Sequence, residues 1–466
     1  MSDYKKFLDE KQFTAPPVGI ANPPDLSPLL FPFQRDLTHW ALRRGRAAVW
    51  ADCGLGKGWI ALEWARVVSE HTGGNVLILA PLAVAQQFQR EAVKLAVDPP
   101  TLCRDSGDVR PGMNVTNYDR LHNFDSEDFA GVVLDESSIL KDYTAKTRNA
   151  LIAAFERTRF KLCCTATPAP NDFTEVGNHA EFLGAMTRAE MLSMFFVHDG
   201  GSTQDWRIKG HAKDDYWRWV CTWAAMLKKP SDLGYSDDGY ELPALHIHEN
   251  VIDTDTAMAR DAGMLFAYEA RTLSEQRAAK RASINSRVKA AAELANNSSE
   301  PWLVWCELND ESAALSRAIP DAVEVKGADS VEHKERAAID FIDGRIRVLV
   351  SKPSILGWGL NLQHCAHVAY VGLSHSFEQW YQSLRRTWRF GQEREVNCHV
   401  ITSSAEGRIV ANLQRKAADA DKMAAGMVVH MADITRSELR ATSRTVDLYN
   451  PTLEMTIPEW LKTEVA

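Results

Sequence analysis

Short apolar runs alternating with segments of helical periodicity set the pattern of the first third of the chain. Runs at 47–50, 76–80, 115–116, 132–135 and 162–165 predict strands, and the amphipathic stretches between them predict helical crossovers of a parallel sheet. A second series at 303–306, 323–325, 348–351, 368–371 and 400–402 repeats the construction. The predicted fold class is therefore α/β, with two parallel-sheet units in tandem. The region 186–300 differs in texture: Trp206, Trp217, Trp219 and Trp223 lie close together, followed by turn-rich 230–239 and a long helical pattern. It predicts an elaboration of the first unit and then a crossover, and the tryptophan spacing suits a helix burying one side. The expected division is an extended, proline-marked arm at 1–30, a first domain at 31–250 with its Trp-rich helical elaboration at about 186–250, a second domain at 251–450 with a crossover helix at about 260–298, and a polar tail at 451–466.

Length and composition narrow the class. A chain of 466 residues exceeds one ordinary core, and 45% hydrophobic with 25% charged residues is the balance of a globular protein. The longest apolar stretch, 76–85, is half of what a bilayer span needs, and no signal-peptide order opens the chain. The expectation is a cytoplasmic protein without a membrane partner. Eight scattered cysteines without Cys-x-x-Cys spacing predict reduced core thiols rather than zinc ligands. Net charge is −9, yet Arg271, Arg277, Lys280, Arg281, Arg287 and Lys289 oppose a single Glu275, and Arg385, Arg386, Arg389 and Arg394 cluster later. The first cluster fits either a nucleic-acid track or the wet face of an amphipathic helix.

The chemistry begins at Gly54-Leu55-Gly56-Lys57-Gly58, where an apolar strand runs into a glycine-rich turn. Backbone N–H groups of such a turn wrap phosphate oxygens, and a lysine at the following helix start adds positive charge where anions are already favoured. Downstream, a second apolar run ends in Asp135 and Glu136. In phosphoryl-transfer sites the first such carboxylate holds Mg²⁺ and the second orients and deprotonates the attacking water. Phe33 and Gln34 fit stacking on adenine and pairing with its edge, and Thr165 and Thr167 place two hydroxyls at a strand end. In the second unit Gly357-Trp358-Gly359-Leu360-Asn361-Leu362 precedes Gln382, Arg386 and Arg389. Two arginines three apart on a helix share a face, and guanidinium groups from another domain suit the charge on a transferring γ-phosphoryl group.

In this order the segments resemble the superfamily 2 helicases, and within them the Swi/Snf-like double-stranded DNA translocases. The match runs from the aromatic-Gln entry at Gln34, through Asp52-Cys53-Gly54-Leu55-Gly56-Lys57, Leu79-Ala80-Pro81-Leu82 and Thr116-Asn117-Tyr118, to the carboxylate pair, Thr165-Ala166-Thr167-Pro168 and the Arg-x-x-Arg-x-Gly-Gln ending. The resemblance implies two tandem RecA-like domains with an ATP cleft between them, and an ATPase that couples hydrolysis to movement along DNA without sequence preference. Lys57, Asp135, Glu136, Arg386 and Arg389 would be catalytic, and Asp135 would hold Mg²⁺. Phe33, Gln34, Gly54, Leu55, Gly56, Lys57, Gly58 and Gly357 would bind the nucleotide. Thr165, Thr167 and Gln382 would couple the domains, and Pro81, Leu82, Tyr118, Trp358 and Asn361 would touch the nucleic acid. The compact size resembles helicases of bacteriophages and bacteria, which implies replication or recombination partners and, for a phage protein, the host cytoplasm. A strand-separating helicase and a nucleotide-binding scaffold without turnover stay open as alternatives. Three departures stand out: Gly58 replaces the usual Thr or Ser, whose hydroxyl binds Mg²⁺; Ser137-Ser138 replaces a small residue and histidine; and Trp388 stands where a histidine is common. A water filling the place of the missing hydroxyl, with slower hydrolysis, is the expectation at Gly58.

Overall fold

The computed structural model describes residues 15, 17–81, 84–170, 172–198, 206–252, 280–357, 360–374, 376–403 and 407–443. The arm before residue 15, the tail, and 253–279 of the crossover, with Arg271 and Arg277, lie outside the described residues, as do Leu82 and Trp358. The strands are β1 (Arg46–Ala51), β2 (Asn75–Ala80), β3 (Thr101–Leu102), β4 (Met113–Asn117), β5 (Phe129–Asp135), β6 (Phe160–Cys164), β7 (Phe196–His198), β8 (Trp206–Ile208), β9 (Ala224–Leu227) and β10 (Leu245–Ile252), followed by β11 (Trp302–Cys306), β12 (Ala322–Val325), β13 (Val348–Ser351), β14 (His367–Val371) and β15 (Val396–Ser403). Seven form one sheet in the order β3-β4-β2-β5-β6-β1-β9 and six form another in the order β10-β15-β14-β11-β13-β12. Every pairing within these two sheets is parallel. β1, β2, β5, β6, β11 and β13 are buried almost throughout, as continuous apolar runs require when helices cover both faces of a parallel sheet. The predicted α/β class and its two tandem sheets are what the chain forms.

The helices that matter for the site are α1 (Pro32–Arg44), α2 (Lys57–Thr72), α3 (Ala85–Leu95), α4 (Val176–Leu183), α5 (Lys213–Cys221), α6 (Ile284–Asn296), α7 (Asn309–Ala318), α8 (Val331–Ile342), α9 (Phe377–Leu384) and α10 (Gly407–Ser443). α2 connects β1 to β2, so the glycine-rich turn sits between the C-terminal end of an interior strand, next to the edge strand β9, and a helix N-terminus, where open α/β sheets place their ligands. The tryptophan cluster is core: Trp217, Trp219 and Trp223 are 1–3% exposed, and Trp223 meets Trp50 edge-on at 5.5 Å. The same segment also supplies β9, the sheet's edge partner of β1, a strand too short to stand out in the hydrophobic pattern. All eight cysteines are buried and free, and no described helix is long and apolar enough to cross a membrane.

Two arrangements depart from the expected layout. β10 straddles the junction at residue 250 and pairs along its whole length with β15 of the second sheet. α10, which follows the last strand of the second sheet, packs back on the first domain. His430 stacks on Trp217 at 5.7 Å, Arg436 donates to the Asp232 carbonyl at 2.9 Å, and Lys228 pairs with Asp421 at 3.0 Å. The apolar side of that helix, Met427 and Met431, is buried in the tryptophan core.

Among the described residues of the early basic cluster, Arg281 and Lys289 are exposed, whereas Lys280 and Arg287 are buried in ion pairs. Lys280 is 6% exposed and pairs with Glu307, and Arg287 is fully buried with its guanidinium 2.7 Å from Glu311. Glu311 also accepts the N–H groups of Glu307 and Leu308 at 2.9 Å each, capping α7. Its carboxylate thus holds one helix start and a buried cation of α6 together. Breaking such a pair from one side strands a charge in the interior. Glu311→Ala is expected to lower stability by about 3 kcal/mol or more, seen as an earlier denaturant midpoint for the second domain; an unchanged midpoint would contradict this account.

Candidate active site between the domains

Gly54 and Gly56 have φ of +92° and +76°, the left-handed region that costs an L side chain strain but glycine nothing. A Cβ at Gly54 would also lie 2.9 Å from Phe390 of the second domain, and one at Gly56 would lie 2.2 Å from Gln34. This turn leads into α2 with no side chain capping its N-terminus, which leaves N–H groups free for an anion. Lys57 folds back on the turn, donating to the carbonyls of Ala51 at 2.8 Å and Asp52 at 3.2 Å. A triphosphate in the turn would draw it off those carbonyls.

A cavity of about 240 Å³ opens here, lined by Gly54, Gly56, Lys57 and Gly58 from one loop, Asp135 and Glu136 from the end of β5, and Asn361, Arg386 and Arg389 from the second domain. The expected catalytic residues therefore converge on one space. Asp135 and Glu136 are 8% and 7% exposed. Burial, with Glu136 beside it, pushes the Asp135 carboxyl up to about 7, against the pull of Lys57. Glu136 has φ 55° and ψ 52°, a left-handed backbone that a non-glycine residue adopts at a cost of order 1 kcal/mol or more, and which tends to occur at functional positions. One of its oxygens lies 3.7 Å from Arg386, and the other, Oε2, is buried without a hydrogen-bond partner among the described residues. Two crowded carboxylates, one with an orphaned oxygen, fit the donor chemistry of Mg²⁺.

The second domain grips the loop directly. Arg385 pairs with Asp52 at 3.0 Å and donates to the Cys53 carbonyl at 3.1 Å, while the Tyr381 hydroxyl donates to the other Asp52 oxygen at 2.9 Å. Gln382 reaches Thr167 at 3.5 Å, Thr165 accepts from the Thr167 N–H at 3.1 Å, and Lys141 pairs with Glu378. Arg386 and Arg389 do not lie on a helix as their spacing suggested. They sit on turns just beyond α9, with Arg386 bonded to the Gln382 carbonyl at 2.9 Å and Arg389 to the Leu360 carbonyl at 3.4 Å. Burial and the neighbouring Arg386 pull Arg389 down to about 10.

Several expected contacts are arranged otherwise. Phe33 is 2% exposed and packs in the core against Tyr235 and Tyr240; the rings lining the cavity are Phe31, Trp59, Phe88, Tyr240 and Phe390, the last two stacked at 4.6 Å. Gln34 has both ends of its amide engaged, accepting from the Phe31 N–H at 3.0 Å and donating to the Leu55 carbonyl at 3.1 Å. It braces the glycine loop and also lines the cavity. Leu55 itself is core, 4% exposed. Gly357 closes a turn through its N–H to the Pro353 carbonyl at 2.9 Å and is not among the residues lining the cavity. The Tyr118 hydroxyl donates inward to the Asp135 carbonyl at 2.7 Å, Asn361 faces the cavity rather than an outer track, and Pro81 ends β2 with its carbonyl bonded to the Val84 N–H at 2.9 Å. Ser137 bonds at 3.1 Å to His179 of α4, and the Trp388 indole donates to the Pro243 carbonyl at 2.8 Å.

Sequence reasoning assigned no role to Asp52, Arg385, Tyr381, Tyr240, Phe390 or Glu91. Asp52 and Arg385 adjoin recognised segments and were within reach of it; Glu91 had no signal. Its carboxylate occupies the place beside Gly58, where a Cβ would lie 2.3 Å from Oε2.

Residues 286–391 match the family of the helicase conserved C-terminal domain. The chain is 25% identical to the protein p41 of Acyrthosiphon pisum secondary endosymbiont phage 1, over 80% of this chain and 92% of that one. It also aligns with the Sulfolobus solfataricus SWI2/SNF2 ATPase core in complex with dsDNA at 17% identity and a TM-score of 0.39, covering 90% of this chain and 98% of that one. At that score the fold is read from this chain's own strand order.

The Asp52 contact yields a direct test. Asp52→Asn keeps the size of the side chain and removes the charge that Arg385 faces, so the nucleotide-free protein is expected to open and its radius of gyration in small-angle X-ray scattering to rise. An unchanged radius would show that the other contacts across the cleft suffice.

Proposed function

From a helicase C-terminal domain whose arginines face a glycine-rich loop and two buried carboxylates, we propose that this chain is an ATP-driven DNA translocase of the Swi/Snf-like kind. The observation that carries the proposal is Arg386, which reaches across from the matched domain to within 3.7 Å of Glu136. ATP is the substrate. Its phosphates take the N–H groups at the start of α2, and Lys57 exchanges its carbonyl partners for phosphate oxygens. Glu136 orients the attacking water and accepts its proton, and the strained backbone at this residue serves to aim its side chain into the cleft. Arg386 and Arg389 meet the charge that spreads over the transferring γ-phosphoryl oxygens. Asp135, with Glu136 beside it, would hold Mg²⁺, which when bound neutralises charge on the phosphate oxygens and fixes their orientation.

Because Arg386 and Arg389 belong to the second domain, the site is complete only when the domains are shut. Asp52, Tyr381 and Arg385 hold that shut state, and Thr167 with Gln382 relays it to the end of β6. Hydrolysis would then be coupled to opening and closing, and two domains gripping one duplex at different points would advance along it in small steps. Contacts of such a motor go to phosphates, without sequence preference. With Tyr118 and Asn361 turned inward, Pro81, Leu82 and Trp358 are the remaining proposed contacts from the sequence. The phage source of the relative fits a host cytoplasm.

Phosphate release stimulated by duplex DNA tests the reading. Lys57→Ala and Arg389→Ala are each expected to lower the rate by on the order of a thousandfold, and a forked duplex should stay paired. Strand separation would favour a true unwinding helicase, and a parent chain that releases no phosphate would leave only a nucleotide-binding scaffold.

A further inference from the structure

Gly58 is the one departure in the phosphate loop, and it has a spatial counterpart. Glu91 projects from α3, the helix after β2, and its Oε2 lies 2.3 Å from where a Cβ at residue 58 would be. A threonine or serine hydroxyl would project from that same Cβ, so the carboxylate oxygen stands in the space such a hydroxyl would use. No side chain larger than hydrogen fits at 58 while Glu91 is there. The carboxylate is held in place rather than free: Gln87, one turn earlier, donates to Oε1 at 2.6 Å, and Asn361 and Arg389 of the second domain line the same cavity. It lines the same cavity as Lys57, Asp135 and Glu136. An acidic group turned into a site for a polyanion would repel it unless a cation lies between them. A carboxylate is also a harder and more strongly charged oxygen donor than a hydroxyl.

We propose that Glu91 supplies, from a neighbouring helix, the oxygen that residue 58 lacks, and faces the divalent cation bound with the nucleotide. The inference rests on the ATP reading given above. Among the described residues no group of three or more His, Cys, Asp or Glu side chains is already gathered around one point. Phosphate oxygens and waters would complete the shell, as is usual for Mg²⁺ held by one or two carboxylates. Asn361 and Arg389 add a consequence: the second domain faces Glu91 across the same cavity, so closure also changes the surroundings of this carboxylate. Gly58 and Glu91 act as a pair, each making sense only with the other.

The experiment is equilibrium binding of a fluorescent ATP analogue to the full chain, once with Mg²⁺ and once with EDTA. The parent should bind more tightly with Mg²⁺. Glu91→Gln, which keeps the shape, should shrink that Mg²⁺ advantage about tenfold or more, with affinity in EDTA unchanged or higher. Gly58→Thr alone should bind poorly in both buffers because two groups contend for one space, and adding Glu91→Ala to it should restore the Mg²⁺ advantage. A parental Mg²⁺ advantage in Glu91→Gln would overturn the proposal. So would equal tightening in both buffers, which would mark Glu91 as a plug that competes with phosphate. A parent that binds no nucleotide in either buffer would remove the ATP reading itself, and this inference with it.

Discussion

The cleft is held by charges that cannot be left alone. Asp52, Glu91, Asp135 and Glu136 face Lys57, Arg385, Arg386 and Arg389 across a largely buried space, and the acids come from the first domain while the arginines come from the second. Removing a charge from water costs several kcal/mol unless an opposite charge meets it in good geometry. Shutting the domains is what supplies the partner. Opening them would return both sets to water. The close Asp52–Arg385 pair and the looser Arg386–Glu136 approach have different consequences. The first fixes the loop to the second domain, and the second leaves Glu136 an oxygen free for different chemistry.

This arrangement accounts for which features were legible in the chain. Strands at 46–51, 75–80, 129–135 and 302–306 stand out because parallel strands covered on both faces must be apolar along their whole length. The glycine loop, the carboxylate pair and the two arginines are legible because their chemistry demands particular residue types at short spacing. Gln34 and Phe33 show the limit of that argument. Both sit beside the loop as expected, yet one braces its backbone and the other fills the core, since residue type cannot tell a ligand contact from a packing contact when either satisfies the same groups. β9, β10 and the return of α10 to the first domain are long-range pairings, and nothing local encodes them. Lys280 and Arg287 illustrate the same point for charge, since their burial depends on Glu307 and Glu311 arriving from elsewhere in the chain.

The return of α10 bears on how the two domains can move. The chain crosses between domains at the segment before β10 and again after β15, and α10 is fixed to the first domain by Met427, Met431 and the His430–Trp217 stack. The second domain is thus tethered at both ends of its sequence to one body. Two connections constrain relative motion more than one, because a rotation must be compatible with both crossing points. β10 and β15 are also adjacent strands of the second sheet, so both crossings leave from the same edge. A hinge along that edge lets the opposite side of the cleft, where Glu335 meets Gln86 at 2.5 Å, travel furthest.

Position in a motif and position in space part company at Gly58. Compared by sequence alone, the loop has lost an oxygen; compared by volume, an oxygen is present, carried by α3 instead of α2. The replacement has a mechanical cost and a mechanical gain. A hydroxyl on α2 moves only with the loop that bears it, whereas Glu91 is bonded to Gln87 within its own helix and faces Asn361 and Arg389 across the cleft. A donor placed in this way responds to whether the domains are shut. Glycine at 58 is therefore better understood as room made for a second group than as the loss of a first, and the loop's phosphate-facing N–H groups and Lys57 are untouched by the exchange.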